Sequence, residues 1–174
     1  MRPMSHLLAF ACRLVAITTV VTMSGCGLQA GLDQRSDSGS SPTKAPAIDG
    51  TTISGARLSW SSLQGHPVVI DFWASWCGPC RAEQQDVNAL VSRYAAKGVR
   101  FIGVDMRDDT AAALAYRRDL GVAYDSVPDS SEQISASFNV SAPPTVIVVD
   151  QHGRIVDRFL GTIVGVSDEL NRLG

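Results

Sequence analysis

Apolar runs and amphipathic segments alternate along the chain from about residue 48 onward. Residues 67–74 and 99–105 are apolar on both faces, as are strands of a sheet that helices cover on both sides. The segment between them, residues 79–96, places apolar or small residues at helical spacing, and Lys97 and Gly98 end it. This order predicts a strand, a helix and a second buried strand joined as a βαβ unit.

Turn and cap residues mark the other predicted elements. Asp109 precedes residues 110–120 as a helix cap, and Gly121 ends that helix. The remaining predictions are an N-terminal hairpin of strands 52–54 and 56–59, a helix at 130–138 that begins at Asp129 or Ser130, a hairpin of strands 145–150 and 154–160, and a terminal helix at 166–173.

The first 25 residues have the pattern of a secretory signal peptide. They contain two arginines and no acidic residue, and their apolar run at 14–23 is well short of the ~20 residues that a membrane span needs. Residues 23–26 (MSGC) resemble a bacterial lipobox, which implies cleavage before Cys26 and a lipid on its sulfur. The alternative is an ordinary secretory signal in which Cys26 is incidental.

The segment that follows is rich in Gly, Ser, Pro and Ala and has no periodicity. Residues 26–47 are therefore expected to be the lipidated cysteine followed by a disordered tether. The chain then divides into a signal peptide at 1–25, the tether at 26–47 and a folded domain at 48–174.

Charge and cysteine content narrow the function classes. A formal net charge of −2 offers no basic field for nucleic acid. If Cys12 leaves with the signal peptide and Cys26 is lipidated, only Cys77 and Cys80 remain in the domain. An exported domain with one close pair is not a scaffold held together by disulfides, so the pair is expected to undergo exchange.

These two cysteines lie where the first buried strand turns into a helix. Cys77 lies at the helix start, where unpaired N–H groups and the helix dipole stabilise a thiolate, so it is the predicted nucleophile. Cys80 lies one turn further on, close enough to form a disulfide, and is predicted to be the more buried, resolving thiol. Pro79 suits the first helical turn because the N–H that it lacks would have no partner there.

Zinc and haem are the competing interpretations of this cysteine spacing. Tetrahedral zinc needs four ligands, and the remaining candidates, His66 and His152, lie in predicted turns far along the chain. Covalent haem attachment needs a histidine after the second cysteine, where Arg81 stands. We therefore expect a redox-active pair with no metal and no organic cofactor.

Three motifs, in order along the chain, resemble the thioredoxin-like superfamily. Residues 70–80 (IDFWASWCGPC) resemble the active-site strand of thioredoxins, residues 80–83 (CRAE) resemble the membrane-tethered TlpA/ResA branch, and residues 142–145 (APPT) resemble the family's cis-proline loop. The resemblance covers residues 48–174. It implies an α/β, thioredoxin-like fold with a central mixed sheet flanked by helices, an N-terminal β-hairpin and an inserted helix around residues 108–127.

The resemblance also implies roles for two carboxylates. Asp71 would be a buried acid beneath the disulfide that takes and returns the proton of Cys80, and Glu83 would assist from the same helix side as Cys80. The competing interpretations are an Asp71 bonded to backbone at a strand end and a Glu83 that stabilises the helix dipole from the first turn. Two acids in one low-dielectric pocket cannot both ionise at low cost, and we expect Asp71 to have the raised pKa.

The residues expected to bind the partner surround the same cysteines. Trp76 is expected to form an apolar rim beside the nucleophile, with Gly78 and Pro79 in the motif itself. The resemblance implies that Pro144 has a cis peptide bond and presents the preceding backbone to the partner. Because Pro143 has no N–H, it cannot donate a backbone hydrogen bond to that partner.

The sequence thus predicts an extracytoplasmic thiol–disulfide oxidoreductase that acts on thiol- or disulfide-containing proteins. The Gly-Pro between the cysteines and the TlpA/ResA resemblance favour a reductase, in cytochrome c maturation or thiol repair, that a membrane or extracytoplasmic donor re-reduces. We expect a monomer anchored to the bacterial cell membrane by lipid at Cys26. The alternatives are a disulfide oxidant for protein folding, a thiol peroxidase, which would need threonine where Ala74 stands, and a Sco-type copper chaperone, which would need CxxxC.

Overall fold

The computed structural model describes residues 43–174. The predicted signal peptide, the predicted lipidation site Cys26 and the tether as far as residue 42 lie outside the described residues. Among the residues that the structure describes, none of the helices is long and apolar enough to cross a lipid bilayer.

The described residues form short strands and helices that alternate along the chain. In order, they are β1 (Gly50–Thr51), β2 (Arg57–Leu58), β3 (Val68–Trp73), α1 (Gly78–Tyr94), β4 (Arg100–Met106), α2 (Thr110–Leu120), β5 (Asp125–Asp129), α3 (Gln133–Ser137), β6 (Thr145–Val149), β7 (Ile155–Leu160) and α4 (Val166–Leu173). Single 3₁₀ turns, Trp60–Leu63 and Ala95–Lys97, precede β3 and follow α1.

One mixed sheet positions the cysteines. Its strand order is β5-β4-β3-β6-β7, with β4 parallel to β3 and β5 and with β6 antiparallel to β3 and β7. The strands β1 and β2 form a separate antiparallel hairpin. The predicted α/β fold, with a mixed sheet and an N-terminal hairpin, is therefore confirmed. Since β3 is central and buried along its whole length, the loop at its C-terminal end starts from a rigid support.

Asp71 points towards helix α1 because side chains alternate along a strand. Its neighbours on the same face of β3, Val69 and Trp73, belong to apolar clusters that contain residues of α1, including Tyr94 and Cys80. Ile70 and Phe72 belong to the core on the other face of the sheet. The alternation thus places the one carboxylate of β3 beneath the helix that begins at the cysteines.

The α2–β5 region shows where the sequence predictions succeed and fail. Helix α2 begins as predicted after Asp109, whose carboxylate accepts hydrogen bonds from the N–H groups of Ala111 and Ala112, and it ends at Gly121 in the left-handed conformation. Strand β5 is absent from the predicted elements because its sequence, DSVPD, is polar and contains proline. It forms because β4 supplies backbone partners, and an edge strand tolerates proline.

Helix α3 is shorter than the predicted helix at 130–138. It spans Gln133–Ser137, because Glu132 before it is in the left-handed region at φ 58° and cannot extend the helix. The Asp129 carboxylate accepts hydrogen bonds from the N–H groups of Ile134 and Ser135 in the first turn of α3. The predicted capping residue therefore caps the helix, although the helix begins later than predicted.

The last residues of the predicted tether belong to the folded domain. Lys44 forms a β-bridge with Arg154, and the N–H of Ala45 donates to the carbonyl of Gly153 at 2.8 Å. Ala45 is also buried. The prediction of disorder is therefore wrong for residues 43–45, because residues 153–155, around the turn between β6 and β7, give their backbone partners that composition does not reveal.

Candidate active site

Cys77 and Cys80 form a disulfide at the start of α1. Cys77 is the N-cap residue, its Cα lies 5.3 Å from that of Cys80, and its Sγ accepts a hydrogen bond from the Cys80 N–H at 3.1 Å. Pro79 occupies the first turn, as predicted. The N-terminus of α1 is thus arranged to stabilise negative charge on the Cys77 sulfur once the disulfide opens.

Burial does not separate the two cysteines in the oxidised protein. Their relative exposures are 4% for Cys77 and 3% for Cys80, so the oxidised state does not test the prediction that Cys80 is the more buried thiol. What distinguishes them is position, since Cys77 precedes the helix and Cys80 lies inside its first turn. Gly78 and Pro79 between them are exposed and form the accessible part of the motif.

The two tryptophans of the motif have different surroundings. Trp76 is 54% exposed, its Nε1 donates to the carbonyl of Arg107 at 3.2 Å, and the Arg107 guanidinium lies 5.5 Å from its ring centroid. Trp73 is fully buried, stacks on Tyr116 with ring centroids 4.6 Å apart, and donates to Ser126 Oγ. Trp76 therefore offers a fixed apolar surface beside the disulfide, and Trp73 supports the site from within the core.

The Pro143–Pro144 peptide bond is cis, as the sequence predicts. The loop leads into β6, where Thr145 pairs with Phe72 near the C-terminal end of β3, so it lies at the same end of the sheet as the disulfide. The Pro144 carbonyl accepts a hydrogen bond from the N–H of Gly161 at 2.8 Å. A groove of about 310 Å³ runs along this loop, lined by residues 139–145, Leu160 and Gly161.

Asp71 is buried and accepts a short hydrogen bond from the hydroxyl of Tyr124. Burial raises the pKa of Asp71 to about 6, although the Tyr124 hydrogen bond acts in the opposite direction. Tyr124 lies in the connection between α2 and β5, so the partner of Asp71 is a side chain distant in sequence and not the backbone group of the competing interpretation.

Glu83 is half-buried on α1, and its pKa is raised to about 7. The main cause is burial, followed by the negative charges of Asp71 and Asp86. The raised pKa expected for Asp71 is therefore present, and Glu83 shares it, because burial is the main cause for both carboxyls while the Tyr124 hydrogen bond acts in the opposite direction at Asp71. Glu83 also lies beyond the first turn of α1, which contains no acidic residue, so the helix-dipole interpretation does not apply.

Sequence reasoning missed a buried polar network next to these acids. The carboxamide oxygen of Gln84, Oε1, accepts hydrogen bonds from the hydroxyls of Tyr116 at 3.1 Å and Tyr124 at 3.3 Å. Gln84 lies one turn after Cys80 on the buried face of α1. A glutamine at a buried helix position needs hydrogen-bond partners, and this need was the one sign in the sequence of a polar network at this place.

A second missed contact holds the loop before Trp76. The Asp108 carboxylate accepts hydrogen bonds from the backbone N–H and the hydroxyl of Ser75, the latter at 2.7 Å. The neighbouring Asp105 is buried, and its Oδ1 has no hydrogen-bond partner within residues 43–174. Burial and then the charge of Asp108 raise the pKa of Asp105 to about 8, so Asp105 is protonated at neutral pH and does not repel Asp108.

Comparison with known proteins agrees with this geometry. The family model described as Redoxin matches residues 41–172. The chain is 28% identical over 118 residues to the thiol-disulfide oxidoreductase ResA of Bacillus thuringiensis, covering 68% of each chain. It is 32% identical over 132 residues to a homolog of the thiol:disulfide interchange protein DsbE of Paracoccus denitrificans, covering 74% of this chain and 70% of the relative.

A solved structure is similar over the same domain. It is that of a secreted Mycobacterium tuberculosis disulfide oxidoreductase homologous to Escherichia coli DsbE, with a TM-score of 0.64 and 26% identity, covering 72% of this chain and 96% of that one. The matched region contains the disulfide, the cis-proline loop and the mixed sheet. The chain belongs to the Redoxin family, as a thioredoxin-like thiol–disulfide oxidoreductase of the ResA and DsbE type.

Proposed function

We propose that this protein reduces disulfides of partner proteins outside the cytoplasm, using the Cys77–Cys80 pair as its redox centre. The observation that supports this most directly is the disulfide at the N-cap of α1, above a face of the sheet that holds a buried carboxylate, Asp71. A thiolate at a helix N-terminus is a nucleophile, and a buried acid with a pKa of about 6 can exchange protons near neutral pH.

The reaction proceeds through a mixed disulfide. The Cys77 thiolate attacks one sulfur of the partner's disulfide, and the other partner sulfur leaves as a thiolate, which takes a proton from water. Cys80 then gives its proton to Asp71 and attacks the Sγ of Cys77. This step breaks the mixed disulfide, releases the second partner sulfur and forms the Cys77–Cys80 bond, so the partner gains two electrons and the enzyme loses two.

The return step needs a dithiol donor at the membrane or outside the cytoplasm. A donor thiolate attacks Cys77, and Cys80 leaves as a thiolate that takes the proton held by Asp71 or Glu83. The donor's second thiolate attacks the donor sulfur of the mixed disulfide, which frees Cys77 and oxidises the donor to a disulfide. Two coupled carboxyls with pKa values of about 6 and 7 allow one proton to be stored close to Cys80 while the other group ionises.

Partner binding would use the apolar surface around the disulfide. Trp76 is exposed beside Cys77, and the groove along the cis-proline loop ends at Leu160, which is 74% exposed. Because Pro143 lacks an N–H, the partner would be held mainly by side-chain contacts in this loop. These features favour partner cysteines flanked by apolar residues, as in incompletely folded proteins or in apocytochromes during cytochrome c maturation.

The redox potential of the Cys77–Cys80 pair tests the direction of electron flow. Equilibration of the protein with defined ratios of reduced and oxidised dithiothreitol should place the potential nearer to the about −270 mV of thioredoxin than to the about −120 mV of DsbA. A value above about −180 mV would instead identify a disulfide oxidant, since the helix N-terminus that stabilises the Cys77 thiolate also favours the reduced form.

A further inference from the structure

A directional hydrogen-bond network connects Asp71 to helices α1 and α2. The Tyr124 hydroxyl contacts Asp71 Oδ2 and also lies 3.3 Å from Gln84 Oε1, which accepts a second hydrogen bond from Tyr116. All four side chains are at most 5% exposed. Water therefore does not compete for these groups, and each of them depends on its protein partners.

The orientation of the Gln84 amide follows from its hydrogen bond with Asn88. The Asn88 Nδ2 donates to the carbonyl of Leu120 at 3.0 Å, and Asn88 Oδ1 accepts from the N–H of Ala123 at 3.3 Å. A backbone carbonyl can only accept and a backbone N–H can only donate, so the Asn88 amide is oriented. Gln84 Nε2 donates to that Asn88 Oδ1 at 3.1 Å, which turns Oε1 towards the two tyrosines.

The Tyr124 hydroxyl has one proton and two acceptors within reach, Asp71 Oδ2 and Gln84 Oε1. When Asp71 is ionised, the hydroxyl donates to its carboxylate. When Asp71 is protonated, the carboxyl O–H can donate to the Tyr124 oxygen while Tyr124 donates to Gln84. Tyr116 keeps Gln84 Oε1 bonded in both states, so neither state leaves a buried group without a partner.

We propose that Tyr124 is a positioning residue for Asp71, and that its hydroxyl proton turns from the Asp71 carboxylate to Gln84 when Asp71 takes up a proton. This inference rests on the proposed function, in which Asp71 exchanges a proton with Cys80. Tyr124 touches neither sulfur in this arrangement. It lets Asp71 hold or release a proton in a closed pocket without breaking the surrounding network.

The inference predicts shifts of opposite sign for two substitutions. Tyr124→Phe removes the donor to the ionised carboxylate, so the Asp71 titration midpoint should rise by about one pH unit. Gln84→Met removes the acceptor that Tyr124 needs when Asp71 is protonated, so the midpoint should fall. Tyr116→Phe is the matched control, because it also removes a buried hydroxyl bonded to Gln84 but leaves the contact with Asp71 intact.

Other charged groups face the same pocket and determine how the titration is read. The pKa of Glu83 on α1 is raised in part by the charge of Asp71, and the guanidinium of Arg81 lies 4.9 Å from the Tyr116 ring centroid. Tyr116 and Tyr124 stay neutral because burial raises their pKa values. The titrations are therefore run in a Glu83→Gln background as well as in the wild type.

The measurement is a ¹³C NMR titration of aspartate carboxyl groups in the oxidised full chain, with the Asp71 resonance assigned by its loss in Asp71→Asn. The expected result is an upward shift in Tyr124→Phe, a downward shift in Gln84→Met and a change below about 0.3 pH unit in Tyr116→Phe. Equal midpoints in Tyr124→Phe and Tyr116→Phe would overturn the inference. If Gln84→Met does not fold, the two tyrosine variants alone decide.

The pH dependence of disulfide exchange separates this inference from the proposed function. If the NMR midpoint moves in Tyr124→Phe and the midpoint of the exchange rate moves with it, the positioning of Asp71 by Tyr124 and the proton-carrier role of Asp71 are both supported. If the NMR midpoint moves and the rate profile does not, the positioning of Asp71 by Tyr124 is supported and the proton-carrier role of Asp71 fails. An unmoved NMR midpoint overturns the inference whatever the rates show.

Discussion

Asp71 shows how the surroundings of one residue decide its chemistry. It stands in a strand whose other residues are apolar, so its carboxylate is removed from water on folding. An unpaired buried charge is costly, and the response is a raised pKa together with a hydrogen bond from Tyr124. The same two effects make this carboxyl suitable for proton exchange and make it a source of pH-dependent stability.

Asp71→Asn should stabilise the oxidised protein at pH 8 relative to pH 4. The folded pKa of about 6 lies above the ordinary value of 3.8, so the native state holds its proton more tightly than the unfolded chain does. The cost of burying Asp71 is absent below pH 3.8, grows as the pH rises towards 6 and is constant above it. We expect a difference of about 2 kcal/mol between the two pH values, measured by chemical denaturation.

A matched control for this prediction is Asp119→Asn, which removes an exposed carboxylate from α2 and should change the free energy of unfolding little at either pH. Disulfide exchange, followed by insulin reduction, should be slowed by Asp71→Asn and less by Glu83→Gln. An effect of Asp71→Asn that is the same at pH 4 and pH 8, with exchange undiminished, would show that Asp71 is a structural residue only.

At the scale of elements, helix α1 makes two chemically identical cysteines different. Cys77 caps the helix and accepts a hydrogen bond from the N–H of Cys80, whereas Cys80 belongs to the helix and packs with Val87 on its buried face. The loop before α1 is held by Asp108, which accepts two hydrogen bonds from Ser75. The helix on one side and the Asp108–Ser75 hydrogen bonds on the other keep Cys77 at the positive end of the helix dipole.

Cys80→Ser should therefore accumulate mixed disulfides between Cys77 and partner proteins, because the attack that resolves them is lost. Cys77→Ser should accumulate few, since the remaining thiol lies within the helix. The measurement is the amount of thiol-sensitive complexes on non-reducing gels after expression in a bacterial host. The double variant is the control for adventitious cross-linking, and equal trapping by the two single variants would contradict the assignment of roles.

At the scale of the whole domain, the chain enters at the end of the sheet opposite the disulfide. Lys44 and Ala45 pair with Arg154 and Gly153 at the turn after β6, and β6 runs antiparallel to β3. The disulfide follows the C-terminal end of β3, so the length of a strand, about 20 Å, separates it from the entry point. Residues 43–45 therefore lie at the end of the sheet that is far from the cysteines.

Cys26→Ala should release the protein from the membrane fraction, because the lipobox-like sequence at 23–26 predicts a lipid on that sulfur. The insulin reduction rate of the purified variant should equal that of the wild type, since the disulfide and the acids around it all belong to residues 43–174. Cell fractionation followed by immunoblotting checks the first expectation, with Cys12→Ala as the control. A Cys26→Ala protein that stays with the membrane would rule out lipid as its anchor.

Local features of the sequence determined much of the fold and of the redox centre. The spacing of Cys77 and Cys80 at a strand-to-helix junction, the cap at Asp109 and the stop at Gly121 are settled by contacts among residues close in sequence. Alternation along β3 decided which face Asp71 occupies once the strand was placed. Such features depend on backbone geometry that a few neighbouring residues specify, and this is why they were predictable.

Tertiary structure alone decided the environment of the acids. Tyr124 lies 53 residues from Asp71 and 40 from Gln84 in sequence, and they meet only because the sheet order places β4 next to β3 and β5 next to β4. The raised pKa of Glu83, the pairing of residues 43–45 and the strand β5 likewise depend on partners from other elements. A buried polar group takes its protonation state from the donors and charges that folding brings to it, and no local pattern records those distances.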